Sequence, residues 1–235
     1  MRAHRVRALL MGGQACVFYG AAEFSRDVDL AILADAANLR RLRPALADLR
    51  AEVIAVPPFQ IQYLRRGHAI HFRCQHPDAT RIRVDVMSDM RGVDPFARLW
   101  QRRTTLQLPG GDKLDLLSLP DLVQAKKTQR DKDWPMIRRL VEAHYFENQT
   151  QPKPRQIGFW LAELRTPELL VELARRYPAP CQRLVKQRAL LVHAQAGETD
   201  DLERALQAEE NTERQRDKEY WLPLRRELER LRHGG

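Results

Sequence analysis

Only three cysteines occur in 235 residues, Cys16, Cys74 and Cys181, and they stand far apart. That excludes a disulfide framework and a cysteine-rich zinc site. The seven histidines show neither an i, i+4 pair nor a His-x-Glu pattern, so a histidine-based zinc site is not expected either. No apolar run approaches the ~20 residues that a membrane-spanning helix needs, and an integral membrane protein is not expected. Residues 1–13 hold three arginines and one short apolar stretch broken by Gly12 and Gly13. No secretory core is legible there, so a cytoplasmic location is the expectation. Internal repeats and strong low-complexity tracts are also lacking.

What is present is globular: 43% hydrophobic and 30% charged residues. Forty Lys and Arg face 31 Asp and Glu, for a net charge of +9. The excess is uneven. Residues 151–197 carry eight basic and three acidic side chains, whereas residues 198–235 carry eight and eleven. A basic surface followed by an acidic segment suits a polyanion such as a nucleotide or RNA. It equally suits a solvated, arginine-rich surface.

The patterning predicts α/β structure first and helices afterwards. Residues 6–11 read as a buried strand ending in a Gly-Gly turn. Residues 14–22 read as a short helix, 28–33 as a second strand, and 35–49 as a helix that Pro44 kinks or delays. Residues 69–74 and 81–87 read as two strands joined by a polar turn. A short helix follows at 94–103, then two strands around Pro109-Gly110-Gly111, then helices over 122–128 and 134–146. The polar stretch 148–154, with Pro152 and Pro154, is the predicted linker. It divides the chain into domains 1–148 and 149–235. Beyond it, helices are expected, with breaks near 178–180 and 196–197.

The chemistry lies in three acids on two strands. Asp27 and Asp29 are two apart on an extended segment, so period-2 geometry puts them on one face, their Cα atoms ~6.5–7 Å apart. Asp85 sits inside the apolar strand RIRVDVM. An acid there is costly unless solvated, paired or metal-bound. Pairing with Arg81 or Arg83 is one resolution. A shared divalent cation is another, because three neighbouring carboxylates repel one another, and all-oxygen ligands favour Mg²⁺ or Mn²⁺ over zinc. Gly12 and Gly13 close the first strand before a helix, where backbone N–H groups can approach a phosphate. A phosphate cradle beside a carboxylate-held metal is the minimum equipment for phosphoryl or nucleotidyl transfer.

Met11-Gly12-Gly13, a spacer of thirteen residues, and Asp27-Val28-Asp29-Leu30 resemble the signature of the DNA polymerase β-like nucleotidyltransferase superfamily. Asp85 matches its third acid. The stretch GGQACVFYGAAEFSRDVDLAIL is similar to the small prokaryotic members, including nucleotidyltransferase toxins of abortive-infection systems. DLVQAKKTQRDKDWPMI resembles their later helical motif. The resemblance covers residues 8–140. It implies an α+β fold, a mixed sheet flanked by helices, followed by an all-α C-terminal region. It also implies transfer of a nucleoside monophosphate from an NTP, ATP foremost, to an acceptor hydroxyl on RNA, tRNA included, on protein or on a small molecule, with release of pyrophosphate. Gly12 and Gly13 would then cradle the triphosphate. Asp27, Asp29 and Asp85 would be the catalytic, metal-holding acids, with Asp85 also helping to deprotonate the acceptor. Lys126 would touch phosphate, with Lys127 as a rival for that place. Arg130 and Asp133 match the motif too, as substrate contacts or as a structural pair. Gly12-Gly13-Gln14 replaces the Gly-Ser of many active members, so the serine hydroxyl is missing.

A cognate antitoxin is a partner implied by the toxin members. A protein that binds nucleotide or a partner without turnover is the alternative function. Other residues carry blander expectations. Cys16, Tyr19, Trp134 and Trp160 should pack. Arg65-Arg66 and Arg102-Arg103 are either acceptor contacts or ordinary surface pairs. The tail 199–231 should form amphipathic helices.

Overall fold

The computed structural model describes residues 1–233. Two compact units are present. The first is Met1–Ala125 together with the chain from Glu219 onward, and the second is Lys126–Lys218. The first stretch of chain thus ends at Ala125 and the second unit begins at Lys126.

The first unit is built on a mixed seven-stranded sheet. Its strands are β1 (Ala8–Met11), β2 (Asp27–Ile32), β3 (Glu52–Val53), β4 (Ile70–Arg73), β5 (Arg83–Met87), β6 (Thr104–Gln107) and β7 (Lys113–Leu116). Their spatial order is β3-β4-β5-β2-β1-β7-β6. β2 runs antiparallel to β1 and parallel to β5, while β4 runs antiparallel to β5. β6 and β7 form the hairpin expected around Pro109-Gly110-Gly111.

Five helices accompany the sheet: α1 (Gly12–Phe18), α2 (Ala36–Asp48), α3 (Ile61–Arg65), α4 (Phe96–Gln101) and α5 (Leu119–Ala125). α1 starts two residues earlier than its apolar pattern suggests, directly on the Gly-Gly pair. α2 is capped by the Asp35 carboxylate, which accepts from the Asn38 N–H at 2.6 Å. It runs through Pro44 without a break. β3 and α3 carry too few residues for a periodic signal and are legible only in three dimensions.

β2 changes character along its length. Asp27, Val28 and Asp29 are half-buried, whereas Leu30, Ala31 and Ile32 are buried. β5 alternates, with Val84 and Val86 in the core and Arg83, Asp85 and Met87 on the more open face. The acids thus lie where strands surface from the apolar layer of Leu9, Ile32, Ile70 and Phe72.

The second unit is helical: α6 (Asp133–Asn148), α7 (Pro154–Glu163), α8 (Pro167–Arg176), α9 (Pro178–Leu184), α10 (Leu191–Ala196) and the first part of α11 (Thr199–His233). The prolines at 154, 167 and 178 each begin a helix, where a missing N–H costs nothing. Gly197 ends α10 with φ of +77°. Trp160 and Tyr145 anchor the core, their rings edge to face at 5.1 Å.

The tail is one 35-residue helix with Pro223 inside it, not several. Its later part belongs to the first unit, where Glu227 pairs with Arg66 at 2.6 Å and buried His68 at 2.8 Å. Among the described residues no helix is long and apolar enough to cross a membrane.

Candidate active site

Strand register gathers the three aspartates. β2 and β5 align Asp29 with Asp85, and Asp27 with Arg83. β1 sets Met11 against Asp29, and β4 sets His71 against Asp85. Met11, Asp29, Asp85 and His71 therefore form one transverse row over four strands, with neighbouring strands ~4.8 Å apart. Register partners project to the same face of a sheet, and so do residues two apart. Asp27, Asp29 and Asp85 consequently share a face, together with Arg83 and His71.

The Gly-Gly pair meets this row at its edge. Gly12 has φ of +66°, and a Cβ placed on it would stand 1.8 Å from Asp29 Oδ2. No residue with a side chain fits there without displacing the carboxylate. A Cβ on Gly13 would lie 2.5 Å from Ser25 Oγ. Gln14 reaches across to donate from Nε2 to the Ser25 carbonyl at 2.9 Å. The turn, the Ser25 loop and the first acidic strand are thus packed backbone against side chain. No side chain caps the first turn of α1.

Asp85 is engaged by two side chains. Arg83 grips it with both arms, Nε to Oδ1 and Nη2 to Oδ2, each at 2.8 Å. His71 Nδ1 lies 2.8 Å from the same Oδ1 and 3.0 Å from Arg83 Nη2. Burial pushes the Asp85 carboxyl up, but hydrogen bonds from His71 and Arg83 outweigh it and leave the group below its ordinary range. Hydrogen bonding to Asp85 raises the Arg83 guanidinium against the opposing effect of burial, and the charges of Asp85, Asp27 and Asp29 add to the rise. The pairing of Asp85 with Arg83 is one of the two resolutions open from sequence. His71 was not singled out, because only the register of β4 on β5 brings it to the acid.

Lys126 is buried in the second unit, where its Nζ donates to Asp133 Oδ1 at 3.0 Å. Asp133 also accepts from Thr128 Oγ1 at 2.6 Å and Arg130 Nε at 2.7 Å. Trp134 Nε1 donates to the Thr128 carbonyl at 2.8 Å. Residues 126–133 therefore form a loop closed on the buried carboxylate of Asp133. Lys127 pairs with Glu163 at 2.8 Å.

Cys16 and Trp160 are fully buried, as packing requires. The Tyr19 hydroxyl lies 2.7 Å from both Thr104 Oγ1 and the Leu117 carbonyl, which ties it into the fold. Arg102 bridges Asp94 and Asp121, and Arg103 pairs with Asp115 while stacking on Trp100. Arg66 is taken by Glu227. These arginines hold the fold together.

The three aspartates offer only oxygen, which fits a hard divalent cation. Their oxygens are not drawn together around one point. Among the described residues, the one group of three metal-capable side chains with ligand atoms within 4.8 Å of one another is His193, Glu198 and Asp201. That group is largely exposed, and Asp201 is engaged by Arg204. It needs no ion to account for it. No family model matches the chain, and no curated protein matches it.

Proposed function

We propose that the chain is a metal-dependent nucleotidyltransferase of the DNA polymerase β-like fold, moving a nucleoside monophosphate from an NTP to an acceptor hydroxyl. The observation that carries this reading is the register setting Asp29 beside Asp85 and in contact with the Gly12 backbone. It joins a phosphate-accessible turn to three same-face acids, which is the arrangement that triphosphate chemistry requires.

Asp27, Asp29 and Asp85 would hold Mg²⁺ or Mn²⁺, which when bound offsets triphosphate charge and polarises the attacking oxygen. The N–H groups of the Gly12–Gly13 turn would cradle the phosphates. Gly12 keeps the Asp29 carboxylate in contact with the turn, because any larger residue there displaces it. Asp85, as the sequence resemblance implies, would also help to deprotonate the acceptor hydroxyl. A phosphate contact by Lys126 rests on the sequence resemblance alone, since its ammonium already serves Asp133. The basic excess over residues 151–197 supports a polyanionic acceptor such as tRNA, as in a toxin-like enzyme with a cognate antitoxin.

One observation favours a second reading, a protein that binds nucleotide or a partner without turnover. Both oxygens of Asp85 are committed to Arg83. Incubation with Mg²⁺ or Mn²⁺ and labelled NTPs separates the two. Transfer of label to cellular RNA, protein or a small molecule, lost in Asp29→Asn, supports the enzyme. Saturable nucleotide binding with no product supports the second reading.

A further inference from the structure

We propose that Arg83 is a built-in counter-ion that holds Asp85 in the metal-free protein and must release it before all three aspartates can bind a divalent cation. His71 keeps the released carboxylate in position. This rests on the reading of the three aspartates as metal ligands and concerns how that site is loaded.

The geometry is that of a fork on a carboxylate: two parallel N–H···O contacts of 2.8 Å. Register sets Arg83 directly beside Asp27 on the neighbouring strand, while its guanidinium reaches two residues along to Asp85. Arg83 therefore lies among the three acids on the same face. A divalent ion entering there meets like charge at the position it needs, so guanidinium and metal exclude one another. The exchange is sterically open. The Arg83 side chain is 38% exposed and can swing to solvent, whereas Asp85 is 16% exposed and stays in the sheet. His71 approaches Oδ1 from the opposite strand, so one contact on Asp85 survives the departure of Arg83. Outer contacts of this kind orient a ligating carboxylate and tune metal affinity.

The alternative is a plain ion pair stitching one sheet face, and the two differ in the sign of one measurement. Mn²⁺ binding is measured by the loss of the free-ion electron paramagnetic resonance signal, on the full chain without nucleotide. Wild type, Arg83→Met, Arg83→Lys, His71→Ala and Asp29→Asn are compared, with folding checked by circular dichroism. Arg83→Met removes the charge and keeps the stem. It should bind Mn²⁺ about tenfold more tightly, the scale on which outer-shell changes act. Arg83→Lys keeps the charge but loses the fork, and should fall between Arg83→Met and wild type. It also serves if Arg83→Met does not fold. His71→Ala should bind more weakly than wild type, and Asp29→Asn should not bind. Binding seen only after Arg83→Met also supports the counter-ion role. Equal or weaker binding by both folded Arg83 variants, with wild type binding and Asp29→Asn silent, overturns that role and leaves the metal site standing. No binding by any folded protein overturns the metal site and the counter-ion role together.

Discussion

On the sheet face of the first unit, Asp27, Asp29 and Asp85 share a surface that is partly open to solvent, where Arg83 and His71 engage Asp85. In the helical unit the acids are matched. Asp133, 1% exposed, meets Lys126, Arg130 and Thr128. Glu209 receives Arg188 and Arg165 together. A buried charge with full pairing is consistent with architecture, because it is expensive to unmake and offers nothing to a ligand. Carboxylates gathered on one partly open sheet face are different. They repel one another, and an incoming ion can relieve that repulsion. The contrast separates Lys126 and Asp133 from the three strand acids, although sequence resemblance places all five in one motif set.

The sharpest way to break the comparison is Asp133→Ala. It strands Lys126 in the interior and should lower unfolding free energy by about 3–5 kcal/mol, read from urea denaturation. A loss below about 1 kcal/mol would return Lys126 to the pool of free cations and weaken the architectural assignment. Gly12→Ala comes next. The new methyl meets Asp29 Oδ2 at 1.8 Å on a backbone with φ of +66°. A loss of about 1–3 kcal/mol is expected, with label transfer impaired as well. Unchanged stability and transfer would detach the turn from the acids.

Acid sensitivity sharpens the same contrast. Burial raises the Asp133 carboxyl, but Lys126, Thr128 and Arg130 outweigh it, so the folded group titrates below its ordinary range. The unfolded chain then takes up the proton first as pH falls. The stabilisation is complete above about pH 4 and drains away as pH drops through the folded value. Asp133→Asn should show a shallower fall in urea midpoint below pH 4 than wild type. His144 acts higher on the scale. Burial lowers its imidazole, with Glu147 opposing, and its Nδ1 accepts from Trp160 Nε1 at 2.9 Å. Stability should therefore decline as pH falls from about 6.5 toward the folded value, and His144→Gln should flatten that decline. The smallest effect belongs to Asp27→Asn. It should leave unfolding free energy within about 0.5 kcal/mol while abolishing transfer, and a large destabilisation would make Asp27 a structural acid like Asp133.

Much of the layout was legible in one dimension. The apolar run 28–33 and the alternating run 81–87 mark β2 and β5 within a residue or two, because both patterns are local signals. The same alternation puts Asp27 and Asp29 on one face, and Asp85 on the face opposite Val84 and Val86. Gly-Gly announced a turn. The prolines at 154, 167 and 178 were ambiguous, since proline both ends one segment and opens the next. The two-residue β3 and five-residue α3 carry no period to read.

By itself the sequence determined the longer strands and helices and which acids share a face along each strand, because these follow from periodicities of two and 3.6 residues. Tertiary structure alone decided that Asp29 lies beside Asp85, that Gly12 touches Asp29, that His71 reaches Asp85, and that Lys126 turns to Asp133. Each of these joins residues on different strands or across a turn. Pairing order and register come from the summed burial of whole strands, which no local window contains.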